Sequence, residues 1–325
     1  MLPPKDRLNI CFAHVAYQLQ ERFAPRQTGI KSFAVRTPED FDRRVGEADV
    51  VVVSGLWRNE LLDKAPRLRF IQSIGAGTDQ FDRDKLKNRG IHLASAQGVN
   101  VNAVSEHVMA LILAIARRLP EARDNQSKHV WRGMISELSQ REDELSCKVL
   151  LVFGLGGIGS RLAKLAKAFG MRVIGTKRRP QKIDNVDEVL PAERTKDVLG
   201  QSDFVLLLLP GTPQTENFMN AERLGWMKPT AWMLNFGRGS IVKDADLIVA
   251  AKEKKIAGAV LDVFRQEPLP ATDPLWTAEN IIVLPHIGGP HPQRDRFVSR
   301  LFVDNLGRFL DDKPLKEVVD RAAGY

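Results

Sequence analysis

Short runs of β-branched and aliphatic residues alternate along the chain with segments whose apolar positions recur at helical spacing. This is the pattern of parallel α/β sheets, whose strands are buried on both faces. In the first part, Leu8–Ala13, Val50–Ser54, Phe70–Ile74 and His92–Ala94 read as buried strands. The charged stretches Pro38–Gly46 and Asp82–Gly90 between them suit crossover helices or loops. Asn102–Arg118 predicts a long helix, apolar at Val104, Val108, Leu111, Ile112 and Ile115, with Pro120 expected to stop it. From Lys148 the alternation becomes regular. Val149–Phe153, Arg172–Thr176, Phe204–Leu209, Ala231–Asn235, Gly258–Asp262 and Ile281–Leu284 predict strands, with helices opening at Asn220 and Asp244. Gln293–Leu310 predicts a last amphipathic helix. Near-continuous apolar strands with helical connections define an α/β chain with a doubly wound parallel sheet.

One segment fits neither period. Glu121–Ser146 is polar and carries Trp131, and loops of that length are usually functional or interfacial. It is expected to be an arm that packs on a second subunit, giving a homodimer.

Composition narrows the function classes. A chain of 325 residues has room for two domains. No apolar run approaches the roughly 20 residues of a membrane span, and the charged, proline-bearing Met1–Ile10 does not read as a signal peptide. Cys11 and Cys147 stand far apart, which gives neither a disulfide framework nor metal-ligand spacing. No membrane partner and no metal are expected, and the cytoplasm is the expected compartment. The net charge of +8 comes from scattered lysines and arginines, clustered only at Lys177-Arg178-Arg179. A nucleic-acid partner would want them gathered with aromatics on one element, so none is expected. A positive field instead suits an enzyme that handles phosphorylated cofactors and carboxylates.

Gly154-Leu155-Gly156-Gly157-Ile158-Gly159 directly follows an expected strand and opens an expected helix over Ile158–Phe169. Gly154 permits a tight turn, Gly156 lets backbone approach a pyrophosphate, and Gly159 allows close helix–strand packing. The phosphates would sit at the helix N-terminus. The next strand ends in Lys177, Arg178 and Arg179, where an NAD-selective site has an acidic residue for the ribose hydroxyls. Cations there suit a 2′-phosphate, so NADP is expected as cofactor with NAD as the alternative.

Three polar residues follow three strands of the same expected sheet: Arg238, Glu267 and His286. Strand carboxyl ends are where open α/β sheets place ligands. Arg238 could clamp a carboxylate and polarise a neighbouring carbonyl. His286 could exchange a proton with that oxygen, and Glu267 could orient the ring. Singly, each could be a turn, cap or structural residue; their shared placement favours a catalytic set.

The chain resembles the D-isomer-specific 2-hydroxyacid dehydrogenase family, glyoxylate/hydroxypyruvate reductase-like. The motifs are Gly154–Gly159, Asn235–Val242, Leu261–Pro270 and Leu284–Gly289, in that order along nearly the whole chain. The resemblance implies that Arg238, Glu267 and His286 are catalytic. It places Asp262 near the nicotinamide carboxamide, and Pro210, Thr215 and Gly288 on the cofactor side. It implies that the backbone N–H groups of Ile74 and Gly75, in Ser73–Asp79, hold the substrate carboxylate together with Arg238 and His286. It also implies a Rossmann cofactor domain over 100–290, inserted in a smaller flavodoxin-like substrate domain of 1–99 and 291–325, with the active site in the cleft. The activity implied is hydride transfer between NAD(P)H and a small 2-oxo/2-hydroxy acid, glyoxylate or hydroxypyruvate first. Lys177 replaces the family's acidic residue, and Pro290-His291-Pro292 departs from its pattern. Alternatives are a phosphoglycerate dehydrogenase-like enzyme and a non-catalytic, NAD(P)-sensing corepressor-like protein. Glu106 and His107 are expected to be structural.

Overall fold

The computed structural model describes residues 4–319. The chain divides into two compact units, one made of the residues up to Asn100 and those from Pro290, the other of Val101–Gly289.

The first unit is built on five parallel strands: β1 (Asn9–Ala13), β2 (Lys31–Val35), β3 (Val50–Val53), β4 (Phe70–Ser73) and β5 (His92–Ala94). Their order is β2-β1-β3-β4-β5. The β-branched run of β3 is buried throughout and serves both faces. Val51 and Val53 join Phe41, Trp57 and Leu61, while Val50 and Val52 join Phe70, Phe302 and Phe309 on the other side. The helices form where their caps dictate. Thr37 Oγ1 accepts from the Asp40 amide to open Pro38–Arg44, and an Asp82 carboxylate oxygen accepts from Lys85 to open Arg83–Asn88. Strand β2 was not expected: at this sheet edge only Phe33 and Val35 are buried, too short an alternation to stand out beside Lys31 and Ser32.

The helix Arg294–Leu310 closes one face of this sheet. Val298, Phe302, Leu306 and Phe309 fall on one stripe and are buried. A buried amide pair fixes its register, because Asn305 Nδ2 donates to Gln72 Oε1 at 2.9 Å. Gln72 Nε2 in turn donates to the carbonyls of Ser73, Ala94 and Ser95.

The second unit holds seven parallel strands: β6 (Val149–Phe153), β7 (Arg172–Thr176), β8 (Glu188–Leu190), β9 (Phe204–Leu207), β10 (Trp232–Asn235), β11 (Gly258–Leu261) and β12 (Ile281–Val283). The order β12-β11-β10-β9-β6-β7-β8 reverses between β6 and β9, which makes the carboxyl end of β6 the switch point. Strand β8, a three-residue edge, escaped the sequence pattern for the same reason as β2. The helix Val101–Ala116 packs on Gly157–Ala168, pinned by Arg161, which donates to Ser105 Oγ at 2.8 Å and to Glu106 Oε1 at 2.7 Å.

Two boundaries differ from expectation. Pro120 does not end the long helix; left-handed Arg118 (φ +51) does, and Pro120 sits in the first turn of a further helix, Leu119–Ser127. A proline there sacrifices no helical hydrogen bond. That helix buries none of its residues, so it left no periodic signal. Asp244 is the first helical residue rather than the cap, where its charge meets the helix dipole. Among the described residues no helix is long and apolar enough to cross a membrane.

Phe302 is fully buried, with ring centroids 5.5 Å from Phe12 and 5.9 Å from Phe23. Phe302→Ala is expected to cost about 3–5 kcal/mol of unfolding free energy in urea titration. A loss below about 1 kcal/mol would mean that the helix does not cover this face.

Candidate active site

At the switch point the chain leaves β6 through Gly154, whose φ is +105. A Cβ there would lie 2.9 Å from the Leu208 carbonyl oxygen, so both backbone and space demand glycine. Gly159 packs as tightly, since its Cβ would come within 2.6 Å of the Gly154 oxygen. Gly156 is different. It caps the helix Gly157–Ala168 with no side-chain cap bond, and a Cβ there would meet nothing within 4 Å. The first amides of a helix have no partner within it and no side chain caps these, which fits a dinucleotide phosphate. Ile158 lies on the same turn, partly buried against the core.

Beyond β7 the turn is basic, with Lys177 half-buried and Arg178 and Arg179 exposed. The Lys177 amide donates to the Leu190 carbonyl, which ties the turn to β8. Across the switch point, Thr215 Oγ1 donates to the Pro210 carbonyl at 2.6 Å and accepts from the Thr212 amide at 2.9 Å, so the 210–215 loop is internally braced.

The structure brings Glu267 and His286 together. Glu267 Oε2 lies 2.7 Å from His286 Nδ1, and Oε1 accepts from the Phe264 amide at 2.9 Å. With Nδ1 engaged, Nε2 is the ring nitrogen left for a ligand, and the side chain is 55% exposed. Arg238 follows β10 on a turn held by Asn235, whose amide donates to the Arg238 carbonyl and whose Oδ1 accepts from Gly237. Its guanidinium donates to the Gly237 carbonyl at 2.7 Å, and its stem lies against Gly211.

Asp262 holds the histidine loop. Its buried carboxylate accepts from the Ile287 amide at 2.7 Å and the Gly288 amide at 2.9 Å. Burial raises the Asp262 pKa, and the two amide bonds oppose the rise. His286 itself sits at φ +54, a left-handed backbone that costs a non-glycine residue about 1 kcal/mol. The two amide bonds that follow it offset that cost. Gly288 fits only because it lacks a Cβ, which would lie 2.8 Å from Asp262 Oδ2.

Two contributors were not anticipated. Asn235 forms an Asx turn, which the order Asn-Phe-Gly just past an apolar strand could have signalled. Arg265 donates to the carbonyls of Ser240 at 3.1 Å and Val242 at 3.0 Å and to Asn217 Oδ1, so it fastens the Arg238 turn to the Glu267 loop. No local pattern marks it, because its partners are distant in sequence. A Cβ on Gly239 would fall 1.9 Å from the Phe264 carbonyl carbon, so the two loops are in direct backbone contact.

The loop after β4, in the other unit, corrects one expectation. The Ile74 amide continues the sheet ladder by donating to Val53 at 3.0 Å, and the Gly75 amide donates to Ser73 Oγ at 3.2 Å. Neither is a free anion donor. The amides of Ala76 and Gly77 make no hydrogen bond among the described residues, so the open donors lie two residues further on.

A dinucleotide cradle at the switch point, with a carboxylate-oriented histidine and an arginine on the neighbouring strand ends, is the equipment of a nicotinamide-dependent dehydrogenase. Comparison with known proteins agrees. Residues 109–288 match the profile described as D-isomer specific 2-hydroxyacid dehydrogenase, NAD binding domain. The chain is 36% identical over 264 residues to glyoxylate/hydroxypyruvate reductase B of Erwinia tasmaniensis, covering 80% of this chain and 81% of that one. A crystal structure of a D-isomer specific 2-hydroxyacid dehydrogenase family protein from Aeromonas salmonicida superposes with a TM-score of 0.86 at 30% identity, covering 97% of this chain and 99% of that one. An NADPH-dependent glyoxylate/hydroxypyruvate reductase from Sinorhizobium meliloti, solved with NADP and sulfate, gives a TM-score of 0.83 at 27% identity, covering 98% and 100%. The chain belongs to the D-isomer specific 2-hydroxyacid dehydrogenase family. It is an NAD(P)-dependent oxidoreductase.

Asp262→Asn leaves one acceptor where two amides need one each. It is expected to cost about 1–3 kcal/mol of stability and to lower turnover at least about tenfold through the displaced histidine. Urea unfolding and steady-state assays read the two effects, and wild-type values in both would remove Asp262 from this role.

Proposed function

We propose that this enzyme reduces small 2-oxo acids, glyoxylate to glycolate or hydroxypyruvate to D-glycerate, with NADPH as its preferred reductant. The observation that carries the reading is the 2.7 Å contact between Glu267 and His286, which commits Nδ1 and leaves Nε2 for the substrate oxygen. When bound, the reduced nicotinamide supplies the hydride. His286 gives its Nε2 proton to the carbonyl oxygen as that oxygen gains charge, and takes it back in the reverse direction. Glu267 keeps the ring oriented through its contact with Nδ1. Arg238 pairs with the substrate carboxylate and polarises the carbonyl beside it. In the first unit the amides of Ala76 and Gly77, rather than those of Ile74 and Gly75, are the ones open to a carboxylate. For the cofactor we assign Gly154, Gly156, Gly157, Ile158 and Gly159 to the pyrophosphate. Pro210, Thr215, Asp262 and Gly288 are assigned to its nicotinamide half.

The preference for NADPH rests on Lys177, Arg178 and Arg179, and the Sinorhizobium meliloti reductase solved with NADP supports it. The Erwinia tasmaniensis relative supports the substrate class. Both cysteines are free thiols, in keeping with a reducing cytoplasm. We also read the chain as a homodimer. Trp131 and Met134, 97% and 99% exposed on the segment after the helix Leu119–Ser127, form an apolar surface that a second copy would cover.

Replacing Lys177, Arg178 and Arg179 together by alanine should weaken the KM for NADPH roughly ten- to a hundredfold, the worth of one charge-assisted hydrogen bond, while sparing NADH. Equal losses for both cofactors would refute the assignment. Arg238→Ala should lower kcat/KM for 2-oxo acids by at least about a hundredfold with NADPH binding retained in fluorescence titration; near-normal catalysis would overturn its role.

A further inference from the structure

Three strand-end loops of the larger unit meet on one side chain. The loop after β9 holds the braced 210–215 stretch, the loop after β10 holds Arg238, and the loop after β11 holds Glu267. Backbone bonds zip the first two together. The Asn217 amide donates to the Ser240 carbonyl at 2.8 Å, and the Met219 amide to the Ile241 carbonyl at 2.9 Å. Asn217 keeps a left-handed backbone there, with φ +51. The third loop joins them through Arg265, whose Nη2 donates to Asn217 Oδ1 and to the Ser240 and Val242 carbonyls at 3.1 and 3.0 Å. One nitrogen therefore touches both zipped segments.

Magnitudes decide which contacts hold it. Glu216 and Asp244 place carboxylate oxygens 3.5 and 3.9 Å from the guanidinium, and the Arg265 side chain is 37% exposed. Ion pairs so long and so open to water contribute little. Hydrogen bonds from a cation to fixed carbonyls are stronger and directional, so the carbonyls set the position and the two acids balance the charge. Arg265 lies inside the turn that presents Glu267. Phe264, its neighbour, donates its amide to Glu267 Oε1 at 2.9 Å, and Glu267 Oε2 lies 2.7 Å from His286 Nδ1. The turn has no slack beneath it, since a Cβ on Gly239 would fall 2.3 Å from the Arg265 nitrogen. Short contacts thus run from the Ser240 and Val242 carbonyls through Arg265, the Phe264 amide and Glu267 to the imidazole.

We infer that Arg265 is a positioning residue for the reaction, acting through Glu267: it fixes the turn 264–267 so that the carboxylate aims the His286 ring. The inference rests on the reading above, in which His286 exchanges a proton with the substrate oxygen. Without the guanidinium, the turn keeps its backbone contact with Gly239 but loses its tie to the Ser240 and Val242 carbonyls. Glu267 is then present without a fixed aim. Reaction rates fall steeply when the reacting groups are misplaced. An interaction that matters only as the proton moves lowers kcat and leaves KM nearly unchanged.

The test is a double-mutant cycle in steady-state assays with NADPH and hydroxypyruvate, using Arg265→Met, Glu267→Ala and the two combined. Arg265→Met should lower kcat about ten- to a hundredfold with both KM values near wild type. The loss should vanish in the Glu267→Ala background, where nothing is left to aim. Losses that multiply in the double variant mean damage elsewhere and overturn the inference, as does an unchanged kcat in Arg265→Met. If the Met variant does not fold in urea titration, Arg265→Lys replaces it; that change keeps the cation but not the planar fork, and the same split is expected. If wild type does not reduce the 2-oxo acid, or Glu267→Ala loses nothing, the reading above fails, and proton NMR decides the positioning alone. The signal to follow is the downfield Nδ1 proton of His286 bonded to a carboxylate, identified by its loss in His286→Asn. A signal that wild type shows and Arg265→Met lacks supports the inference. The same signal in both, or none in wild type, overturns it.

Discussion

The reacting end of the larger unit depends on one buried carboxylate. Asp262 stands at the end of β11 and accepts from two successive amides of the loop after β12. Together with the bond from the His286 amide to the Leu284 carbonyl at 2.9 Å, these bonds hold His286 in a left-handed backbone. With them the ring meets Glu267, and Glu267 is fixed in turn by the Phe264 amide. The geometry of the Glu267–His286 pair is therefore set by backbone donors and by a carboxylate that does not itself touch the ring.

Rigidity of the same kind links Arg238 to this pair. Its turn lies in backbone contact with Phe264 and Arg265 because Gly239 has no side chain, and Arg265 bridges the two loops through the Ser240 and Val242 carbonyls while also reaching Asn217. Arg238, Glu267 and His286 thus ride on a packed set of strand-end loops, the rigid placement that the roles proposed for them would need.

Most of this was legible in the sequence, for reasons that particular residues make plain. Buried parallel strands write themselves as apolar runs, so Val50–Val53 and Val149–Phe153 were evident, while the edge strands Lys31–Val35 and Glu188–Leu190 were not. The glycine loop was readable because each glycine answers a local steric demand. The Glu267–His286 pair was readable because both residues follow strand ends of one sheet, and the structure brings the two together. The open amides of the loop after β4 were not legible, since a glycine-rich string does not say where the sheet ladder stops: at Ile74 it has not yet stopped. The role of Arg265 was hidden because it depends on carbonyls more than twenty residues away in sequence.

The order of the chain has a consequence for synthesis. The face of the first sheet that carries Ile10, Phe12, Val50 and Phe70 is covered by a helix encoded after residue 290. On a ribosome emitting the chain from its N-terminus, that face is translated early, and apart from the cover of Leu19 and Phe23 it waits until the whole intervening unit has emerged. Nascent chains fold domain by domain, so the second unit can reach its fold first. The first is finished only when Phe302 arrives, and in the interval its valine-rich surface is the part most exposed to aggregation or to capture by a chaperone.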